Sequence, residues 1–275
     1  VDKAKADGTT AVANVTPVVK EAAKKAIADE LAEKEKAIDA RKDLTDAEKA
    51  KAKEEAQAKA KEATDAINKQ PDVATTPTAA KTAQDAVDAA KAKGVADVKA
   101  VNPVAKEAAK QAIADELAKK VGEIDARPDL TDKEKDAAKK DAQAKAKKAT
   151  DAINAQQDNA ETPEKAAEAQ IAVDGAKDKG VADVKAVNPV AKEKAKEEIA
   201  KELAKKEEAI DARPDLTDEE KAAAKKDAQA KAKEATDAID AQPSIAETPE
   251  KAAEAQKAVD GAKDKGVADV KAVNP

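Results

Sequence analysis

The chain contains no His, Cys, Met, Trp, Tyr or Phe. Without His and Cys the usual ligands for zinc, copper, haem and iron–sulfur centres are missing. The commonest general base and the best nucleophile are missing too. Carboxylate and lysine chemistry would still need a pocket to shift its pKa values, and such pockets have large apolar or aromatic walls. Few side chains here exceed Ala. The composition therefore predicts no enzyme, no catalytic residue, no cofactor and no metal site. No run of 18 apolar residues exists, so no segment is expected to insert in a membrane. Val1-Asp2-Lys3-Ala4-Lys5 does not open a signal peptide.

What is present is charge, at 40% of residues, with 52 basic against 58 acidic and a net charge of −6. So close a balance, without a basic stripe or stacking residues, argues against nucleic acid as a partner.

Order appears in the repeat. Val15-Thr16-Pro17 recurs as Val101-Asn102-Pro103, Val187-Asn188-Pro189 and Val273-Asn274-Pro275, with the prolines 86 residues apart. Such a period is the mark of an array. The units are 18–103, 104–189 and 190–275, the last two nearly identical. Residues 1–17 align with 87–103 and read as the tail of a preceding repeat. All 11 prolines fall at a few phases of the repeat, and none enters the long Ala/Lys/Glu stretches, where it would cost about 3 kcal/mol.

Capping signals agree. Thr45-Asp46-Ala47-Glu48, Thr131-Asp132-Lys133-Glu134 and Thr217-Asp218-Glu219-Glu220 each form a capping box. Thr162-Pro163-Glu164 and Thr248-Pro249-Glu250 place a cap before Pro and an acid near the helix start. Thr76-Pro77-Thr78 keeps the cap without the acid. Asn102-Pro103 and Asn188-Pro189 read as the same device, opening the first helix of each unit.

In the third unit the helices are expected at about 189–212, 218–241 and 249–273. Their apolar stripes are Ala195, Ile199, Leu203 and Ile210; then Ala224, Ala228, Ala232, Ala235 and Ile239; then Ala252, Ala255, Val259, Ala262, Gly266, Val270 and Val273. Steps of three, four and seven put each set on one face. Gly94, Gly180 and Gly266 admit two readings, a helix C-cap or a mid-helix site of close approach. The stripe keeps its phase through Gly266, which favours the continuous helix.

The predicted fold class is all-α: tandem antiparallel three-helix bundles stacked end to end into an elongated rod, roughly 110–130 Å long at about 1.5 Å per residue. With about eleven Val, Ile and Leu per unit, stability should be modest and draw on caps, helix propensity, Glu/Lys pairs and neighbouring repeats.

Other motifs carry little. The loop Asp211–Asp218 has Arg213 and Leu216 where a calcium-binding loop needs a ligand and Gly. Asn14-Val15-Thr16 matches a glycosylation site that the later units lose, and chance explains it. The Lys/Glu faces read as solvated helix surface.

The segments Val-Asn-Pro-Val, Ala-Ile-Asp-Ala-Arg-Pro-Asp-Leu-Thr-Asp-Glu-Glu-Lys and Ala-Thr-Asp-Ala-Ile resemble the helical repeats called domain of unknown function 1542. The resemblance covers all three units and residues 1–17. It implies long cell-wall-anchored surface proteins of Gram-positive bacteria (staphylococci, streptococci and lactobacilli). The array would be an extracellular stalk that carries an adhesin's binding domain outward, anchored through parts of the parent protein outside this sequence. The expected partners are neighbouring repeats of the same chain, and the expected state is a monomer. A rival reading is a multivalent, low-affinity binding module for host extracellular-matrix or plasma proteins. Its only anchor candidates are Arg41, Arg127 and Arg213. A third, a disordered stress-protective protein rich in Ala, Lys and Glu, would have an 11-residue period instead.

Overall fold

The computed structural model describes residues 1–13 and 15–274. Asn14, the acceptor residue of the glycosylation motif, and Pro275 lie outside them. The described residues form ten α-helices and six two-residue strands. They divide into two compact units: residues 1–111 with 152–175, and residues 112–151 with 176–275.

In the first unit, helix α1 (Asp2–Ala13) is followed by strand β1 (Thr16–Pro17) and helices α2 (Glu21–Asp39) and α3 (Asp46–Asn68). Strand β2 (Val73–Ala74), helix α4 (Pro77–Lys99) and strand β3 (Asn102–Pro103) come next. Helices α2, α3 and α4 pack pairwise into a bundle. The cross-helix bonds fix its sense. Lys49 Nζ reaches the Asp39 carbonyl and Gln57 reaches Glu35, so α3 runs against α2. Gln84 meets Val19 and Lys34 meets the Lys99 carbonyl, so α4 runs along α2. The topology is up-down-up.

The second unit repeats this bundle with α8 (Glu193–Asp211), α9 (Asp218–Asp240), β6 (Ile245–Ala246) and α10 (Pro249–Lys271), preceded by β5 (Asn188–Pro189). Helices α5 (Glu107–Asp125), α6 (Asp132–Asn154) and α7 (Pro163–Lys185) each belong partly to one unit and partly to the other, and β4 (Asn159–Ala160) lies in the first.

The expected stripes are the core. Ile27, Ile38, Ile67, Val87 and Val98 are fully buried, as are Ile199, Ile210, Ile239, Val259 and Val270. Each contributes about 1.5–3 kcal/mol. Between them runs an Ala seam, Ala52, Ala56, Ala60 and Ala63 in one bundle and Ala224, Ala228, Ala232 and Ala235 in the other. Gly94 and Gly266 sit inside unbroken helices, so the continuous reading holds. A Cβ at Gly94 would collide with Ala63 Cβ and crowd Ile27; Gly266 stands the same way to Ala235. The missing methyl lets two helices touch. Helix α1 has no buried residue: Val12 is 75% exposed, whereas its counterpart Val98 is fully buried.

The capping boxes form as expected at Thr45–Glu48 and Thr217–Glu220, and Thr76 and Thr248 cap helices that open on proline. One expectation fails. Asn102-Pro103 and Asn188-Pro189 do not open the first helices. They are strands β3 and β5, paired antiparallel with Asn159–Ala160 and Ile245–Ala246. A residue before proline is pushed toward extended backbone, and here that strain-free extension finds a partner strand. The helices α5 and α8 start four residues later and have 19 residues rather than about 24.

Candidate functional site: the joints between repeats

Each bundle has an upper pole, where its first helix starts and its second-to-third loop turns. Its lower pole holds the first-to-second loop and the end of the third helix. The first unit contains the joint between the lower pole of residues 18–103 and the upper pole of 104–189. The second unit contains the next such joint.

Backbone groups between bundles would be costly if left unpaired, and in the first joint the accounting is nearly complete. Val101 N–H donates to Val98 O, and Val104 N–H to Asp158 O. Asn102 Nδ2 donates to Ala160 O. Gln170 grips Ala105 from both sides, its Oε1 accepting from the amide at 2.8 Å and its Nε2 donating to the carbonyl at 3.1 Å. Arg41, held by Asp43 through Nε, donates from Nη1 to Pro103 O at 3.2 Å.

The amides of Lys106 and Glu107 begin α5 without a cap of their own. Both donate to Glu48 Oε1, at 2.7 and 3.0 Å. The other oxygen, Oε2, completes the capping box by accepting from Thr45 N–H and Oγ1 at 2.8 Å. One carboxylate thus caps two helices, one in each repeat. Lys106, 6% exposed, donates from Nζ to the carbonyls of Asn154 and Gln156 and to Asp158 Oδ1. It stands at the negative end of α6, where a cation is favoured.

The second joint repeats these bonds. Glu134 Oε1 accepts from Lys192 and Glu193 at 2.7 and 3.0 Å, and Oε2 from Thr131 at 2.8 Å. Arg127 Nη1 donates to Pro189 O at 3.3 Å. Gln256 grips Ala191, and Lys192 Nζ donates to Asp240 O and Gln242 O.

Burial tends to raise the Glu48 and Glu134 carboxyls, but their four hydrogen bonds outweigh it and hold both below the ordinary range. In the first joint Lys106 and then Lys51 pull Asp158 down to about 2. Each arginine is raised first by its bond to the aspartate two residues on.

The three arginines read as candidate ligand anchors do not stand alike. Arg41 and Arg127 are engaged in the joints, while Arg213 is bonded to Asp215. An open cleft of about 410 Å³ flanks each joint. The lining polar groups Glu48, Lys51, Lys106 and Asp158 of the first are already paired with one another or with backbone. Among the described residues no His, Cys, Asp or Glu cluster could hold a metal ion, and no helix is long and apolar enough to cross a membrane.

The joint escaped sequence reasoning because its partners lie 58 to 65 residues apart. A signal was available in the Asn-Pro step, which disfavours helix at Asn102 and Asn188.

Two consecutive stretches, residues 105–192 and 191–275, match the family model for the Domain of Unknown Function DUF1542. The chain belongs to the DUF1542 family. The matches follow the 86-residue period and carry no assigned activity. No curated protein and no solved structure matches the chain.

Proposed function

We propose that this DUF1542 array is a spacer, a structural stalk of a bacterial surface adhesin whose length and stiffness are its function. It does no chemistry of its own and works outside the cell, held to the wall through other parts of its parent protein. The observation that supports this is the connector between repeats. A flexible tether would be exposed and rich in Gly or Ser. Residues 101–106 contain neither, and Val101, Val104, Ala105 and Lys106 are each at most 6% exposed. Their backbone groups are bonded to both neighbouring repeats, which opposes bending at the joint. The binding-module reading loses support, because Arg41 and Arg127 already serve the joints.

Small-angle X-ray scattering of the chain in dilute buffer tests the reading. A rod of about 110–130 Å has a radius of gyration near 35 Å, whereas a compact chain of this length would give about 19 Å. A value near the lower figure, or one well between the two as expected for beads hinged at their joints, would rule out a stiff spacer.

A further inference from the structure

The two joints share their caps and differ at several positions; Lys194 Nζ donates to Pro128 O in the second alone, and four further positions that face each other change together. In the first, Lys51 on α3 is bonded to Asp158, which also takes Lys106. One turn along α3, Glu55 accepts from Asn159 Nδ2 at 2.5 Å. In the second, the position of Lys51 is Ala137 and that of Asp158 is Ser244. Glu55 is replaced by Asp141, which turns to Lys145 in its own helix at 3.0 Å. Asn159 is replaced by Ile245, which packs on the apolar cluster of Ile124, Leu130, Ala138 and Val187. The exchange changes the chemistry of both partners together: a charged and amide-bearing pair above meets a Lys/Glu pair below, and a Ser/Ile pair above meets Ala/Asp below.

We propose that these four positions form a matching rule that decides which repeat can follow which. A lower pole with Lys and Glu takes an upper pole with Asp and Asn, and a lower pole with Ala and Asp takes one with Ser and Ile. Crossing them leaves Lys51 without its carboxylate and sets Glu55 against an aliphatic side chain, or buries an amide against Ile124 and Leu130. Burying such a group without a partner is unfavourable. The lower pole of residues 190–275 carries Ala223 and Asp227, the same kind as Ala137 and Asp141. The partner it fits is therefore another repeat of the Ser/Ile kind, such as a further copy of 190–275. The lower pole of 18–103 does not fit that partner. The rule concerns joint selectivity and stands apart from the spacer role.

The test is a mutant cycle in the full chain, read as amide hydrogen exchange at Lys192 and Glu193, whose N–H groups Glu134 holds across the joint. S244D/I245N should speed exchange there about tenfold and A137K/D141E about threefold, both mismatched. Combining all four substitutions rebuilds the Lys/Glu and Asp/Asn set of the first joint and should bring exchange back to within about threefold of the parent, a coupling typical of contacting residues. If the combined variant exchanges as fast as the two effects multiplied, or if S244D/I245N changes nothing, the matching rule is wrong.

Discussion

The joint at residues 101–107 and the joint at 187–193 are built from one plan and finished with different chemistry. Both use a glutamate shared between two helix starts, an arginine that reaches the next repeat's Pro carbonyl, and a glutamine that grips the connector. Only the periphery differs: ionic and amide contacts around Asp158 and Asn159 in one, an aliphatic contact at Ile245 in the other. The shared bonds all satisfy backbone, and these carry the coupling. Apart from Lys194 Nζ, which donates to Pro128 O in the second joint, the variable ones are side chain to side chain, and Asn159 even keeps a buried Oδ1 without a partner. An array can therefore tune a joint's sensitivity to solvent without changing how repeats connect.

The largest effect should be common to both joints. Glu48→Ala and Glu134→Ala each remove one cap and leave two amides of the next helix unpaired, a loss of about 2–3 kcal/mol. Chemical denaturation should show the two variants alike. Unequal losses at Glu48 and Glu134 would break the claim of a common plan.

The bundles should also respond alike. Gly94→Ala and Gly266→Ala should each destabilise by up to about 2 kcal/mol, overpacking of about 1–3 kcal/mol being partly offset by about 1 kcal/mol of helix propensity. Gly261 lies in the same helix as Gly266 with open space around it, so Gly261→Ala should raise the melting temperature instead.

Exchanging the variable residue sharpens the contrast. Ile245→Asn should cost about 1 kcal/mol by placing an amide against an apolar cluster. Asn159→Ile should change stability by less than about 0.5 kcal/mol, because its apolar gain is offset by stranding Glu55. Thermal melts of the two variants test this asymmetry.

The smallest effect is one of pH. Glu48 and Glu134 titrate below their ordinary 4.5, so their contribution is complete above that pH and is lost as the pH falls through their folded values. Asp158, lowered from 3.8 to about 2, adds a second loss between those two values in the first joint alone. The ratio of amide exchange at Lys106 to that at Lys192 should rise between pH 4 and pH 2, and a constant ratio would refute the added role of Asp158.

The helices, their caps and the alanine seam were legible in the sequence because each depends on residues within one or two turns. Thr45 and Glu48 sit three apart, and Ala224, Ala228 and Ala232 repeat at one turn. Gly266 could be placed inside a helix because its stripe did not slip. The joint was not legible in the same way. Glu48 looks complete as a local capping box, and nothing near it announces that its second oxygen serves Lys106 and Glu107. Lys106 looks like one more surface lysine, and its burial follows only once α6 ends beside it. Asn102-Pro103 resembled a helix cap because the strand that pairs with it comes 57 residues later.

The shared cap can be tested without any substitution. Lys20 and Lys192 start their helices with nearly the same backbone, φ −107° and ψ −34° against φ −115° and ψ −37°, and neither has a side-chain cap of its own. Among the described residues, Glu134 accepts from Lys192 and Glu193, and no counterpart accepts from Lys20 and Glu21. Residue-resolved amide hydrogen exchange in one sample compares them directly. Slow exchange at Lys106, Glu107, Lys192 and Glu193 with fast exchange at Lys20 and Glu21 is the expected result. Equal rates at all six would contradict the claim that a glutamate from one repeat holds the start of the next.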